Sequence, residues 1–216
     1  MADDDAGGGL RERKRLAAML RIQAVALDMF EERGFEDVTV EEIADASDVS
    51  PSSVYRYFGT KEEIVLWDEY DVEMDAWLLE AVQAEVPLDG MRALILTALN
   101  AVTADDFVTI KRRLALTLTT PALEQAATAR TYQMAETVGR VLADRLARPE
   151  VDLEVQVFSH AFTGGLLGMF HHWYGTGFAA PLRDVVEQLF RIFEEGLDIV
   201  TASDPTGVGV PASARD

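Results

Sequence analysis

The stretch that decides the fold runs Thr39-Val40-Glu41-Glu42-Ile43-Ala44-Asp45-Ala46-Ser47-Asp48-Val49-Ser50-Pro51-Ser52-Ser53-Val54-Tyr55-Arg56-Tyr57-Phe58-Gly59-Thr60-Lys61. Thr39 with Glu42 three residues on is a capping box, in which the hydroxyl and the carboxylate satisfy each other's backbone N–H groups. It predicts a short helix to about Ser47. Ser50-Pro51 puts a serine cap before a proline at the first helical position, which predicts a second helix of about seven residues, closed near Phe58-Gly59. Ile43 and Ala44 on one helix and Val49 and Val54 on the other are placed to pack the pair together, Ala44 being small where two helices cross. Two helices of this size joined by a short turn match a helix-turn-helix.

Outward from that pair the pattern stays helical and strand alternation is nowhere sustained. Upstream, Leu16, Leu20, Ile22, Val25, Ala26, Met29 and Phe30 recur at helical spacing until Gly34, which reads as a left-handed C-terminal cap. Downstream, Thr60-Lys61-Glu62-Glu63 reads as a second capping box, opening a long helix to about Glu85 that Pro87 stops. Five further helices are expected at roughly 88–103, 105–119, 121–147, 152–174 and 181–202, broken by Pro121, Pro149, Gly175, Gly177 and Pro181. The expected fold is all-α, with nine helices: an N-terminal three-helix helix-turn-helix domain (10–59) followed by a six-helix ligand-binding and dimerisation bundle (60–202). The flanks 1–9 and 203–216, rich in Gly, Ser, Pro and Asp, read as disordered tails.

Composition narrows the function classes. The net charge is −19 over 216 residues, which opposes nucleic-acid binding until the charge is mapped. Arg11, Arg13, Lys14, Arg15 and Arg21 face only Glu12 in their stretch, and Val49–Lys61 holds Arg56 and Lys61 with no acid. Such local fields act on phosphate because salt screens charges beyond about 8–10 Å. No apolar run reaches the ~18 residues of a membrane span, and the N-terminus lacks the apolar segment of a signal peptide. There is no cysteine, which excludes disulfides and cysteine zinc sites and fits a cytoplasmic protein.

The residues on the second helix of the pair suit duplex DNA. Ser52, Ser53 and Arg56 offer hydroxyls and a guanidinium to base edges, and Tyr55 and Tyr57 offer phenols. The helix starts at Thr39, Ser50 and Thr60 present free backbone N–H groups to phosphate, and Lys61 adds a full charge. A structural helical hairpin with a solvated face would show a bare version of the same pattern.

The extended pattern is more specific. Ile22-x-x-Val25-Ala26-x-x-Met29-Phe30-x-x-x-Gly34-Phe35-x-x-Val38-Thr39-Val40-x-x-Ile43-Ala44, then Val49-Ser50 and Tyr55-x-Tyr57-Phe58-x-x-Lys61-Glu62, resembles the N-terminal domain of the TetR family of repressors. By position, the resemblance implies that Pro51, Ser52, Ser53 and Arg56 face bases or flanking phosphates, and that Thr39, Val40, Tyr55, Tyr57 and Lys61 bind phosphates. It also implies a near-palindromic double-stranded operator, a homodimer and a small-molecule effector. Two positions depart from the family pattern. Asp48 stands where glycine is usual in the turn, and Ser52-Ser53 where Gly-Thr is frequent, so the operator sequence does not follow. The run Tyr57-Phe58-x-Thr60-Lys61-Glu62-Glu63-Ile64-Val65-Leu66-Trp67-Asp68 resembles the mycofactocin-regulator subgroup, which implies an acyl-CoA thioester as effector. Lys111-Arg112-Arg113 is the basic cluster in the bundle that such phosphates would need, although it also reads as a solvated turn of helix.

For an effector pocket the candidates are Trp67, Tyr70, Met74, Trp77, Leu94, Ile110, Leu114, Leu118, Tyr132 and Met134, adaptable apolar walls that also suit an ordinary core. For a dimer interface they are Phe158, Ala161, Phe162, Gly165, Gly168 and Met169 on one helix, with Val185, Leu189, Ile192 and Phe193 on the next. Ala161, Gly165 and Gly168 form a small-residue stripe. Glycine inside a helix costs about 1 kcal/mol, which a close backbone approach would offset. His160, His171 and His172 are spaced poorly for a shared metal, and no metal or cofactor is expected. No nucleophile elbow, phosphate-cradling loop or HExxH is present, so an enzyme is not expected. A ligand-independent architectural DNA-binding protein, a helical-bundle enzyme and an activator remain as alternatives.

Overall fold

The computed structural model describes residues 4–68, 80–81, 86–149 and 152–196, with side chains from residue 11 onward. Nine helices and no strand are present among the described residues: α1 (Asp4–Arg33), α2 (Val40–Ala46), α3 (Pro51–Phe58), α4 (Lys61–Leu66), α5 (Pro87–Ala101), α6 (Ala104–Thr119), α7 (Pro121–Leu146), α8 (Leu153–Gly175) and α9 (Leu182–Glu195). The fold is the all-α arrangement that the sequence implies, a helix-turn-helix in front and a bundle behind. Among these residues no single helix is long and apolar enough to cross a membrane.

The local chemistry of the front domain is as expected. Gly34 at φ +90° ends α1, its N–H donating to the Phe30 carbonyl at 2.9 Å. The Thr39–Glu42 capping box forms in both directions. Asp48 takes φ +54°, the left-handed conformation that aspartate tolerates better than most residues, so the turn closes without glycine. Ile43 and Ala44 are fully buried against Val54 and Phe58, in a core shared with Ile22, Leu27, Phe30 and Val38.

The structure differs from the sequence reading at four places. Helix α1 is continuous from Asp4, where a disordered tail was expected. Thr60 caps α4 by accepting from the Glu63 N–H, but the box is half made, because the Glu63 carboxylate turns to Arg130. The long helix expected to reach Glu85 breaks at Leu66, and Trp67 adopts extended backbone at φ −63°, ψ 137°. At the other end, α9 closes at Glu195 rather than near residue 202, because Gly196 at φ +90° leaves the helix.

The bundle has its own core, in which Met91, Val138, Leu142, Phe162, Trp173, Val186 and Phe190 meet. Helices α7 and α8 approach closely where a Cβ on Gly139 would lie 3.2 Å from Ser159 Oγ. On α8 and α9, Gly165 admits the edges of Phe193 and Leu189, which a Cβ would meet at 3.1 and 3.2 Å.

Candidate nucleic-acid interface

Helix α3 presents a hydroxyl-rich start. The Ser50 Oγ accepts from the Ser53 N–H at 3.2 Å and lies 2.9 Å from both Ser52 Oγ and Ser53 Oγ. Pro51 and Ser52 are exposed and Ser53 is half-buried. Arg56 is exposed, its Nη2 donating to Ser53 Oγ at 3.3 Å while its guanidinium lies 5.1 Å from the Tyr57 ring centre. The side chain is thereby held along the outer face of α3 with most of its donors free for an acceptor. Tyr55 stands out into solvent, and Tyr57 packs one side of its ring on the core.

The other expected contacts differ in kind. Thr39 is exposed at the start of α2, but the Val40 side chain is buried, so only backbone there can meet a phosphate. Lys61 turns inward. Its ammonium donates to the carbonyls of Phe35 at 2.8 Å and Val38 at 3.1 Å and sits 4.2 Å from the Phe35 ring centre. It therefore clamps the turn between α1 and α2 and leaves one N–H for a phosphate. Glu42 also braces this turn. The Thr39 backbone N–H, then the Arg33 guanidinium and the Thr39 hydroxyl, lower its pKa to about 2.

The end of α4 is where the two domains join. A helix leaves its last four carbonyls without internal partners, and here side chains from three other helices supply them. Gln23 on α1 donates to the oxygens of Ile64 at 2.9 Å and Trp67 at 2.8 Å. Arg113 on α6 donates from Nε to Val65 at 2.7 Å and from Nη2 to Leu66 at 3.0 Å, and its Nη1 holds the Asp68 carboxylate at 2.8 Å. Arg130 on α7 donates to Leu66 at 2.7 Å. One residue earlier on α6, Arg112 reaches α1 and holds Glu31 at 2.7 Å and Asp28 at 2.6 Å; Glu31, then Asp28, raise its pKa further. Sequence reading missed these ties because they link residues more than forty positions apart. The only local signal was three adjacent cations on a bundle helix. Arg112 and Arg113 are thus committed within the chain, so the cluster does not present three cations to the phosphates of an acyl-CoA.

The effector candidates do not gather in one place. Trp67 packs on the front-domain core beside Phe58. Ile110 and Leu114 line the bundle core, and Leu94 and Leu118 are half-buried. Tyr132, at 60% exposure, and Met134 face outward, Tyr132 lying edge-on to His160. Tyr70, Met74 and Trp77 fall outside the described residues.

The dimer candidates divide. Phe162, Met169, Val185 and Leu189 are buried within the chain, and Gly165 and Phe193 serve the α8–α9 packing. Phe158 is half-buried and stacks on Phe162. Ala161, Gly168 and Ile192 are exposed and border an apolar groove of about 790 Å³. Leu153, Val157 and Gly164 are also exposed and continue the stripe along α8; the sequence reading left them out of the interface.

Comparison with known proteins agrees with this anatomy. Residues 22–66 match the family model described as bacterial regulatory proteins, tetR family, and residues 85–198 match that of the MftR C-terminal domain. A candidate mycofactocin biosynthesis transcriptional regulator, MftR, of Mycobacterium tuberculosis is 25% identical over 189 residues, covering 86% of this chain and 94% of that protein. The HTH-type transcriptional regulator TcmR of Streptomyces glaucescens is 31% identical over 156 residues, 68% of this chain and 67% of its own. Among solved structures, NalD, the secondary repressor of the MexAB-OprM multidrug efflux pump in Pseudomonas aeruginosa, superposes with TM-score 0.56 at 20% identity, covering 86% of this chain and 98% of NalD. SmeT in complex with triclosan gives 0.57 at 16% identity, covering 91% and 100%. The chain belongs to the TetR family of bacterial transcriptional regulators and carries a C-terminal domain of the MftR type.

Proposed function

We propose that this regulator acts as a homodimeric repressor in the cytoplasm, occupying a near-palindromic operator and leaving it when a small apolar or amphipathic effector enters the bundle. The observation that carries the reading is the end of α4. Every carbonyl from Ile64 to Trp67 is held by a side chain of α1, α6 or α7. The front domain is therefore fixed to the bundle through hydrogen bonds, and two of the three helices that supply them belong to the bundle. A ligand that favours a different position of α6 or α7 shifts α4 and, with it, the separation of two recognition helices. Those helices must lie about 34–36 Å apart to read one face of B-DNA. Operator affinity then falls by population shift. SmeT, of the same fold, was solved in complex with triclosan, which supports the binding of a small molecule by a protein of this fold.

Dimerisation is supported by the groove along α8 and α9. An apolar stripe of Leu153, Val157, Ala161, Gly164 and Gly168 left in solvent suits a second copy related by a twofold axis. Exposed cations on α1 (Arg11, Arg13, Lys14 and Arg15) add phosphate contacts that the acidic bundle does not offer. Selection of duplexes from a random library at moderate salt tests the reading. A near-palindromic motif bound by two chains is the expected result. Enrichment of no motif by the folded protein would reject it.

A further inference from the structure

A cleft of about 420 Å³ opens on the side of α6 away from α4, between α5, α6 and the loop that joins α8 to α9. None of the effector candidates named from sequence lines it. Its floor is Trp173, buried to 1% exposure and locked by donation from its Nε1 to the Ala180 carbonyl at 2.8 Å. Phe178 stands edge-on to that indole, with ring centres 4.8 Å apart, and Phe107 completes the apolar wall.

Two features of this cleft call for an explanation. Phe178 is held at φ +59°, a conformation costly for a bulky side chain and stored where surrounding structure enforces it. The Lys111 ammonium lies 5.7 Å from the Trp173 ring centre and 5.4 Å from that of Phe178. Among the described residues no acidic side chain pairs with this half-buried cation, although the chain holds 38 acids and the next two residues on α6 each have carboxylate partners.

We propose that this cleft binds a compact aromatic or apolar monocarboxylate, its carboxylate on Lys111 Nζ and its body against Trp173, Phe178 and Phe107. An anion approaching a protein of net charge −19 needs a local cation. Arg183 also lines the cleft, but its guanidinium donates to the Leu96 carbonyl at 3.3 Å and to the Asn100 side-chain oxygen. The Lys111 ammonium is therefore the charge set over the aromatic floor, and a single ammonium matches a single charge. The volume lies in the lower part of the roughly 300–1,000 Å³ range of small-molecule sites, room for a fused ring system but not for a nucleotide-bearing thioester. Lys111 and Arg113 are two residues apart, so they lie about 200° around α6 and about 3 Å along it. A ligand seated on Lys111 thus presses on the turn of α6 that holds the end of α4. The proposal rests on the reading of the bundle as the effector-binding domain.

Calorimetric titration of the full chain with naphthalene-2-carboxylate, its neutral amide and 2-naphthyl phosphate tests it. The carboxylate is expected to bind roughly tenfold or more tighter than the amide, and no weaker than the phosphate. Lys111→Gln is expected to abolish that preference, and Ala179→Trp, which fills the cleft from its rim, to abolish binding. Equal affinity for acid and amide, a preference that survives Lys111→Gln, tighter binding of the phosphate, or no binding of the acid at about 1 mM would each overturn it. Operator affinity measured on the same samples separates the two readings. Carboxylate binding that leaves the operator affinity unchanged supports the cleft and removes the release mechanism. A dimer that binds its operator but takes up no carboxylate keeps the regulator and removes the cleft.

Discussion

Arg113 Nε and the backbone oxygen of Val65 meet at 2.7 Å, joining a bundle helix to the last turn of the helix that follows the DNA-reading pair. The same guanidinium holds Leu66 and Asp68, and its side chain is only 16% exposed. Removing it takes the side-chain donor from the part-buried Val65 carbonyl and leaves Leu66 to Arg130 alone. Arg113→Gln is therefore expected to lower stability by about 2–3 kcal/mol in urea titration. Arg112→Gln, whose partners Asp28 and Glu31 are largely exposed, is expected to cost at most about 1 kcal/mol. Equal losses for the two would remove the special role of Arg113.

Under the proposed function Arg56 reads a base edge, whereas Lys61 holds the α1–α2 turn. Arg56→Ala is expected to cost about 1–3 kcal/mol on the selected operator and much less on random duplex. Lys61→Met keeps the stem over Phe35 but removes the two donated bonds. It is expected to reduce binding to both duplexes alike and to lower the melting temperature. Filter binding at two salt concentrations with thermal melting checks both. An Arg56→Ala variant weakened equally on both duplexes would reject its assignment.

Glycines three residues apart on α8 are expected to respond in opposite ways. A Cβ on Gly165 meets Phe193 and Leu189 of the same chain, so Gly165→Ala strains the monomer core. A Cβ on Gly168 meets nothing within 4 Å, so Gly168→Glu leaves the chain folded while putting a charge in the apolar groove. Light scattering is expected to show a folded monomer for Gly168→Glu with operator binding lost. A Gly168→Glu protein that remains dimeric would show that the groove is not the interface.

The low pKa of Glu42 gives the helix-turn-helix an acid-labile brace. The carboxylate titrates near pH 2 when folded and near the ordinary 4.5 when unfolded, so the unfolded chain binds the extra proton. The contribution is complete above about pH 5 and is lost as pH falls toward 2. Glu42→Gln is expected to flatten the fall in helix stability across that window, followed by circular dichroism. An unchanged acid profile would contradict the brace.

The recognition pair was legible because its signals are local. Thr39 with Glu42, Ser50 with Pro51, and Ile43 and Ala44 at helical spacing all act within a few residues of one another. The break after Leu66 was not legible. Lys61 to Glu85 contains no proline or glycine, and the helix stops because Gln23, Arg113 and Arg130 compete for its carbonyls from distant positions. Lys111 was legible only as one cation of a cluster, because its separation from Arg112 and Arg113 depends on Trp173 and Phe178 lying beside it. Gly165 and Gly168 looked alike in sequence, and only the packing of Phe193 shows that one serves the chain's own fold and the other faces solvent.

The coupling between bundle and recognition pair is tested most directly by the distance between the two helix-turn-helix units of a dimer. The chain has no cysteine, so a spin label at Asp45→Cys, exposed on α2, reports that distance by electron–electron double resonance. One narrow distribution is predicted for the otherwise unaltered protein, and a broadened one when Arg113→Gln is added. Superimposable distributions, with both proteins dimeric, would contradict the coupling.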